Sequence, residues 1–201
     1  MYNFTVPMAL MDFVPVIFFG ITAVILLGDL KLSKAGYVVL GAGCVNVFLA
    51  GFCKALWKLL YAANICDFAA LEEMFLPVNS LGLLFVGLSI LPACLRKPKN
   101  AVLSVAPPVI AGSLPFIVMM VLGLGGMCAG LSVMAKRMQK TSAIVLFILS
   151  FVCAMAMGYM SGQDSTQAWV NWVEQSINAV SQLCLMIGVI ILHRAGLKNC
   201  Q

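Results

Sequence analysis

Six stretches of the chain stay apolar for as long as a membrane-crossing helix needs, at about residues 7–30, 36–61, 67–92, 107–133, 141–160 and 168–192, separated by short segments carrying charge, Gly, Asn or Ser. An α-helix rises about 1.5 Å per residue and the hydrocarbon core of a bilayer is about 30 Å thick, so roughly 20 apolar residues suffice for each crossing. Soluble domains hold about 45–50% apolar and about 25% charged residues. Here 63% of the 201 residues are hydrophobic and 9% are charged. A water-soluble monomer of that composition would expose far more apolar area than such monomers tolerate, which excludes soluble enzymes, nucleic-acid binders and disordered chains. The expected fold is an all-α polytopic membrane bundle forming one domain over residues 1–201. Its first partner is the lipid bilayer, in a plasma membrane of the bacterial (inner) type, and no nucleic acid is expected. The N-terminus lacks the basic segment of a signal peptide, so the first run reads as a retained span.

The few charges are clustered. Basic residues fall at Lys31 and Lys34, Lys54 and Lys58, Arg96, Lys97 and Lys99, Lys136, Arg137 and Lys140, and Arg194 and Lys198. Such groups mark loops and helix ends that face lipid headgroups, which accounts for the net charge of +5 without an acidic macromolecular partner. The eight cysteines lie mostly inside apolar runs with no C-x-x-C spacing and read as buried small hydrophobes. His193 reads as an interfacial residue, as do Trp57 with Tyr61 and Trp169 with Trp172. The methionines between 119 and 160 read as adaptable packing, and Gly123–Gly130 as a place where helices approach or bend. Neither a metal nor a cofactor is implied.

The chain also matches itself. An offset of 100 residues places Pro7 on Pro107, Pro15 on Pro115 and Cys53 on Cys153; one further residue places Glu73 on Glu174, Ser80 on Ser181 and Gly87 on Gly188. This divides the domain into a repeat at about 5–95, a linker at 96–104 and a second repeat at about 105–195. Three spans per repeat is an odd number, so halves joined by a short loop face opposite ways: six helices as two inverted three-helix repeats. The loop cations then divide five against five. The alternative is seven helices in a 3+1+3 arrangement with parallel repeats, an extra short helix lying between Asn100 and Ala135. That arrangement gathers all ten loop cations on one face, which would be cytoplasmic.

Candidate functional residues follow from helical spacing. Positions i, i+7 and i+14 share a face, so Glu73, Ser80 and Gly87 form one stripe and Glu174, Ser181 and Gly188 another, with Asn171 and Asn178 beside Glu174. An ionisable residue within the membrane is costly and is by default a functional candidate. Lys54 and Lys58 are placed to pair with Glu72 or Glu73, whereas Glu174 has no evident partner. Pro15, Pro77 and Pro115 lie inside runs and should kink them, opening a cavity. The resulting expectation is a small transporter or channel, not an enzyme. It would carry a small polar or cationic solute, with possible proton coupling, along a path lined by Glu73, Ser80, Asn171, Glu174, Asn178 and Ser181. The chain would act as a homo-oligomer or as a subunit of a larger transporter. Against this stand helix packing alone, for which Ser, Gly and Asn on one face also serve, a structural or sensory subunit without flux, and an intramembrane enzyme using Glu72 and Glu73.

Overall fold

Two prolines decide where the first and third spans bend. Proline lacks an N–H and its ring clashes with the carbonyl four residues earlier. For Pro15 that carbonyl belongs to Met11, where α1 (Val6–Met11) ends before α2 (Phe13–Asp29) begins. For Pro77 it belongs to Glu73, where α4 (Ala70–Glu73) ends before α5 (Phe75–Leu95). Pro115 does not kink its run; it stands in the first turn of α6 (Leu114–Arg137), a position that needs no donor. The remaining helices are α3 (Lys34–Ala62), α7 (Thr141–Met160) and α8 (Ala168–Arg194), followed by one 3₁₀ turn at Leu197–Asn199. The computed structural model describes residues 5–95, 113–160 and 168–199, the side chains of 93–95 and 168 excepted. Within these residues there is no strand, and six helical segments are long and apolar enough to cross a membrane.

Local signals set the helix ends. Ser33 caps α3 by accepting a hydrogen bond from the Gly36 N–H at 3.1 Å. Asn64 and Gln139 take left-handed backbone angles directly after α3 and α6, and the N–H groups of Ile65 and Lys140 then close onto the carbonyls of Leu60 and Ala135. These contacts satisfy carbonyls that each helix would otherwise leave open.

The helices form a ring in which each span packs on its chain neighbours and α8 returns to α2. Close contacts fix the direction of each pair. Gly51 approaches Val16 and Gly20 approaches Phe48, so α2 and α3 are antiparallel; Gly43 meets Gly82 and Phe85 while Lys54 meets Phe75, so α3 and α5 are antiparallel. Ser150 meets Ser181 and Phe147 meets Gly188, making α7 and α8 antiparallel as well. The pair α5 and α6 is different. Asn79 meets Met120, Leu83 meets Gly123 and Gly87 meets Gly126, so the two helices run the same way. Likewise α2 and α8 are parallel, with Asp12 in the field of Glu174 near their starts and Asp29 against His193 at their ends.

These directions correct the inverted arrangement. With α5 parallel to α6, the second set of three helices enters the bundle in the same sense as the first, and α5 ends at the opposite end from where α6 begins. Residues 96–112, which hold Arg96, Lys97, Lys99, the linker and Pro107, lie outside the described residues, as does part of the segment that the seven-helix alternative would fold into a further helix. The ends of the bundle carry opposite charge. Lys31, Lys34, Lys136, Arg137, Lys140, Arg194 and Lys198 stand at one end with Asp29; Asp12, Asp67, Glu72, Glu73 and Glu174 stand in the other half with Lys54 and Lys58.

The cationic half is packed solid. Leu26, Leu40, Ile90, Leu131, Phe147 and Leu192 are fully or almost fully buried there in one continuous apolar cluster. Outward-facing Ile17, Val24, Val38, Val145, Ile148 and Leu122 give the bundle an apolar exterior suited to lipid. Trp169 and Trp172 are also exposed, as interfacial residues are, but Trp57 is not. It is 2% exposed, and its Nε1 donates to Asp67 Oδ1 at 3.0 Å, tying the α3–α4 connection to the helix.

Candidate functional site

The acid-rich half is hollow. Between the break at Asp12, the end of α3, the starts of α5, α6 and α8 and the end of α7 lies a cavity of about 130 Å³. That is room for about four waters or one small organic solute. Its polar lining comes from Asp12, Lys54, Asn79, Glu174, Gln175, Asn178 and Gln182, and its apolar floor and wall include Val16, Phe19, Leu83, Met120, Leu124 and Met155. Every one of the six spans contributes.

Asp12 is placed by the helix break that Pro15 imposes. Its carboxylate is 7% exposed and lies 2.9 Å from Lys58 Nζ, whose side chain is equally buried. The ammonium is in ion-pair contact with Oδ2, and Oδ1 has no hydrogen-bond partner. An opposite charge at this distance is what makes a buried carboxylate tolerable. Lys54, one turn earlier on the same face of α3, packs its ammonium over the Phe75 ring, 4.3 Å from the centroid. It lies in the fields of Glu174, Asp12 and Glu72, yet makes no ion pair with any of them. The Glu174 carboxylate forms no hydrogen bond or ion pair among the described residues either.

The polar face of α8 is rotated from the expected one. Glu174, Asn178 and Gln182 follow one another at i, i+4 and i+8, with Gln175 alongside, and all four line the cavity. Ser181 points elsewhere: its hydroxyl donates to the Ser150 carbonyl at 2.8 Å and lies 3.4 Å from the Ser150 hydroxyl. Gly188 lies on the same side, where a Cβ would come within 2.5 Å of the Phe147 ring. Asn171 is buried but does not border the cavity. On α5 the same shift occurs. Phe75, Asn79 and Leu83 face the cavity, whereas Ser80 is fully buried and donates to the Pro77 carbonyl at 3.0 Å, and Gly87 packs against Gly123.

Of the expected lining, then, Glu174 and Asn178 are at the cavity, whereas Ser80, Asn171 and Ser181 are buried outside it. Glu73 is exposed and outside it. The expected pairing of Lys54 or Lys58 with Glu72 or Glu73 is replaced by Lys58 with Asp12 and Lys54 with Phe75. The break at Met74 separates Glu73 from α5, so it no longer continues the face that Ser80 and Gly87 share. Asp12, Asn79, Gln175 and Gln182 were missed. The signal for Gln175 and Gln182 was present in the i, i+1, i+4, i+8 pattern starting at Glu174; for Asp12 it was the single acid within the first run, three residues before a proline.

At the far end of α2 and α8, His193 Nδ1 lies 2.6 Å from Asp29 Oδ2, joining the first and last spans at the cationic surface. No group of His, Cys, Asp and Glu suited to a metal occurs among the described residues. Comparison with protein-family models, curated proteins and solved structures gives no match.

Proposed function

We propose that this chain is a small membrane carrier that binds a polar solute in the cavity of its acid-rich half. The observation that carries this reading is the convergence of one unpaired carboxylate, one cation and four amides on a space of solute size inside an otherwise apolar bundle. Buried polar groups without partners are costly in a membrane protein and mark solute or ion pathways. A carrier fits better than a channel, because among the described residues one continuous apolar cluster fills the cationic half beyond the cavity.

In this reading the two three-helix units are parallel repeats. The cations at the ends of α2, α6 and α8 support a cytoplasmic position for that end by the positive-inside rule, with the cavity facing the opposite compartment. Glu174, free of any partner, is the group through which proton coupling would run.

The test is uptake into proteoliposomes of a panel of labelled small amines, amides and amino acids. Saturable uptake of at least one solute is expected, abolished in Glu174→Gln and retained in Glu73→Gln. Full uptake by Glu174→Gln, or no uptake of any solute by the natural protein, would overturn the assignment.

A further inference from the structure

Resting on that reading, we infer that the cavity recognises a small zwitterion, an α-amino acid with an apolar side chain, holding its carboxylate at Lys54 and its primary ammonium at Glu174, Asp12 and Gln182. Three observations converge on this class of solute.

First, the cavity holds both charges without letting them meet. Lys54 and Glu174 are close enough to feel each other but form no ion pair, and the ammonium of Lys54 rests only on the Phe75 ring. Opposite charges facing one space and unpaired are complementary to a molecule that carries both. A simple cation would satisfy Glu174 and leave Lys54 repelling it; a simple anion would do the reverse.

Second, the unpartnered atoms at the carboxylate side are acceptors. Asp12 Oδ1 and Gln182 Oε1 are buried, border the cavity and have no hydrogen-bond donor. A primary ammonium brings three N–H donors, one for each of these atoms and one for Glu174. A quaternary ammonium brings none.

Third, the rest of the lining is apolar. Val16, Phe19, Leu83, Met120 and Leu124 offer hydrocarbon and thioether surface with no further charge, and methionine adapts its shape to varied side chains.

The experiment is thermal unfolding of the full-length protein in detergent, followed by tryptophan fluorescence, with each of the twenty standard amino acids and with glycine betaine. The best-binding amino acid is then compared with the amine lacking its carboxylate and with the acid lacking its ammonium. For leucine these are 3-methylbutylamine and 4-methylpentanoate. We expect at least one apolar amino acid to stabilise the protein saturably, glycine betaine not to, and both truncated analogues to bind at least about tenfold more weakly, the loss of one charged hydrogen-bonded contact. Lys54→Met should erase the preference over the amine, and Glu174→Gln the preference over the acid.

Absence of stabilisation by every amino acid would overturn the inference, and so would an amine that binds the natural protein as tightly as its amino acid. The two levels of the proposal fail separately. An amino acid that binds but is not taken up by proteoliposomes upholds this inference and refutes the carrier. Uptake of a simple cation with no amino-acid binding does the opposite.

Discussion

Replacing Lys58 by methionine keeps most of the side-chain volume and removes the one charge in contact with Asp12. The carboxylate is 7% exposed and its second oxygen has no hydrogen bond, and the ammonium of Lys54, the other cation in its field, lies over the Phe75 ring. Breaking a buried ion pair from one side costs about 3–5 kcal/mol, because the remaining charge stays desolvated. For a chain of this size each kcal/mol moves the melting temperature by about 2–4 °C, so the expected fall is about 6–20 °C. Removing both charges, in Asp12→Asn with Lys58→Met, should restore most of that, since a neutral pair carries no such penalty. The measurement is intrinsic-fluorescence unfolding of the four proteins of the cycle in one detergent. If Lys58→Met melts within about 2 °C of the natural protein, or if the double variant is as unstable as the single, the pair is not a compensated buried contact and the cavity wall has been drawn wrongly.

Other variants probe the packing that orients the helices. A Cβ at Gly123 would lie 2.3 Å from the Leu83 carbonyl carbon, too close for a side chain to adjust, so Gly123→Ala should separate α5 from α6, cost about 1–3 kcal/mol or more and lower the monodisperse yield on size-exclusion chromatography. Gly158→Ala, with nothing within 4 Å, should leave that yield unchanged. Ser181→Ala removes the bond to the Ser150 carbonyl and should lower stability by only about 0.6–1.7 kcal/mol, with solute binding intact, as befits a packing residue. Gln182→Leu fills the place of a cavity acceptor with hydrocarbon, and should weaken amino-acid binding while leaving the melting temperature of the solute-free protein equal or higher.

The sequence-level reading succeeded where one-dimensional length decides the answer. Six runs of membrane-spanning length became six helices because a helix satisfies all its backbone groups within one apolar segment of that length. Glu174 stands out in the sequence because an acid in an apolar run is costly, and it borders the cavity. What failed depended on rotation and direction. A spacing of seven residues correctly grouped Ser80 with Gly87 and Ser181 with Gly188, but that spacing also serves close helix approach. Both pairs turned out to lie where helices touch. The i, i+4, i+8 series from Glu174 and from Phe75 points about a residue's rotation away, and nothing in the order of residues says which face is hollow. Helix direction was likewise invisible: the parallel course of α5 and α6 is set by Gly87 fitting against Gly123, a contact between segments that any pattern within one run leaves unspecified. The even division of loop cations between two faces, five against five, was the clearest warning against inverted halves, because it left the positive-inside rule without a preference.

The central claim is that the solute cavity opens at the end of the bundle opposite its cations. Single cysteines test it directly, on a protein whose other cysteines are replaced: the native Cys66, exposed in the α3–α4 connection, Gln139→Cys in the α6–α7 turn, and Asn178→Cys in the cavity. In right-side-out membrane vesicles a small membrane-impermeant thiol reagent should label Cys66 and Asn178→Cys, while Gln139→Cys should react only after the vesicles are opened. An amino acid that binds should protect Asn178→Cys and not Cys66. Labelling of Asn178→Cys from the same side as Gln139→Cys would contradict the account.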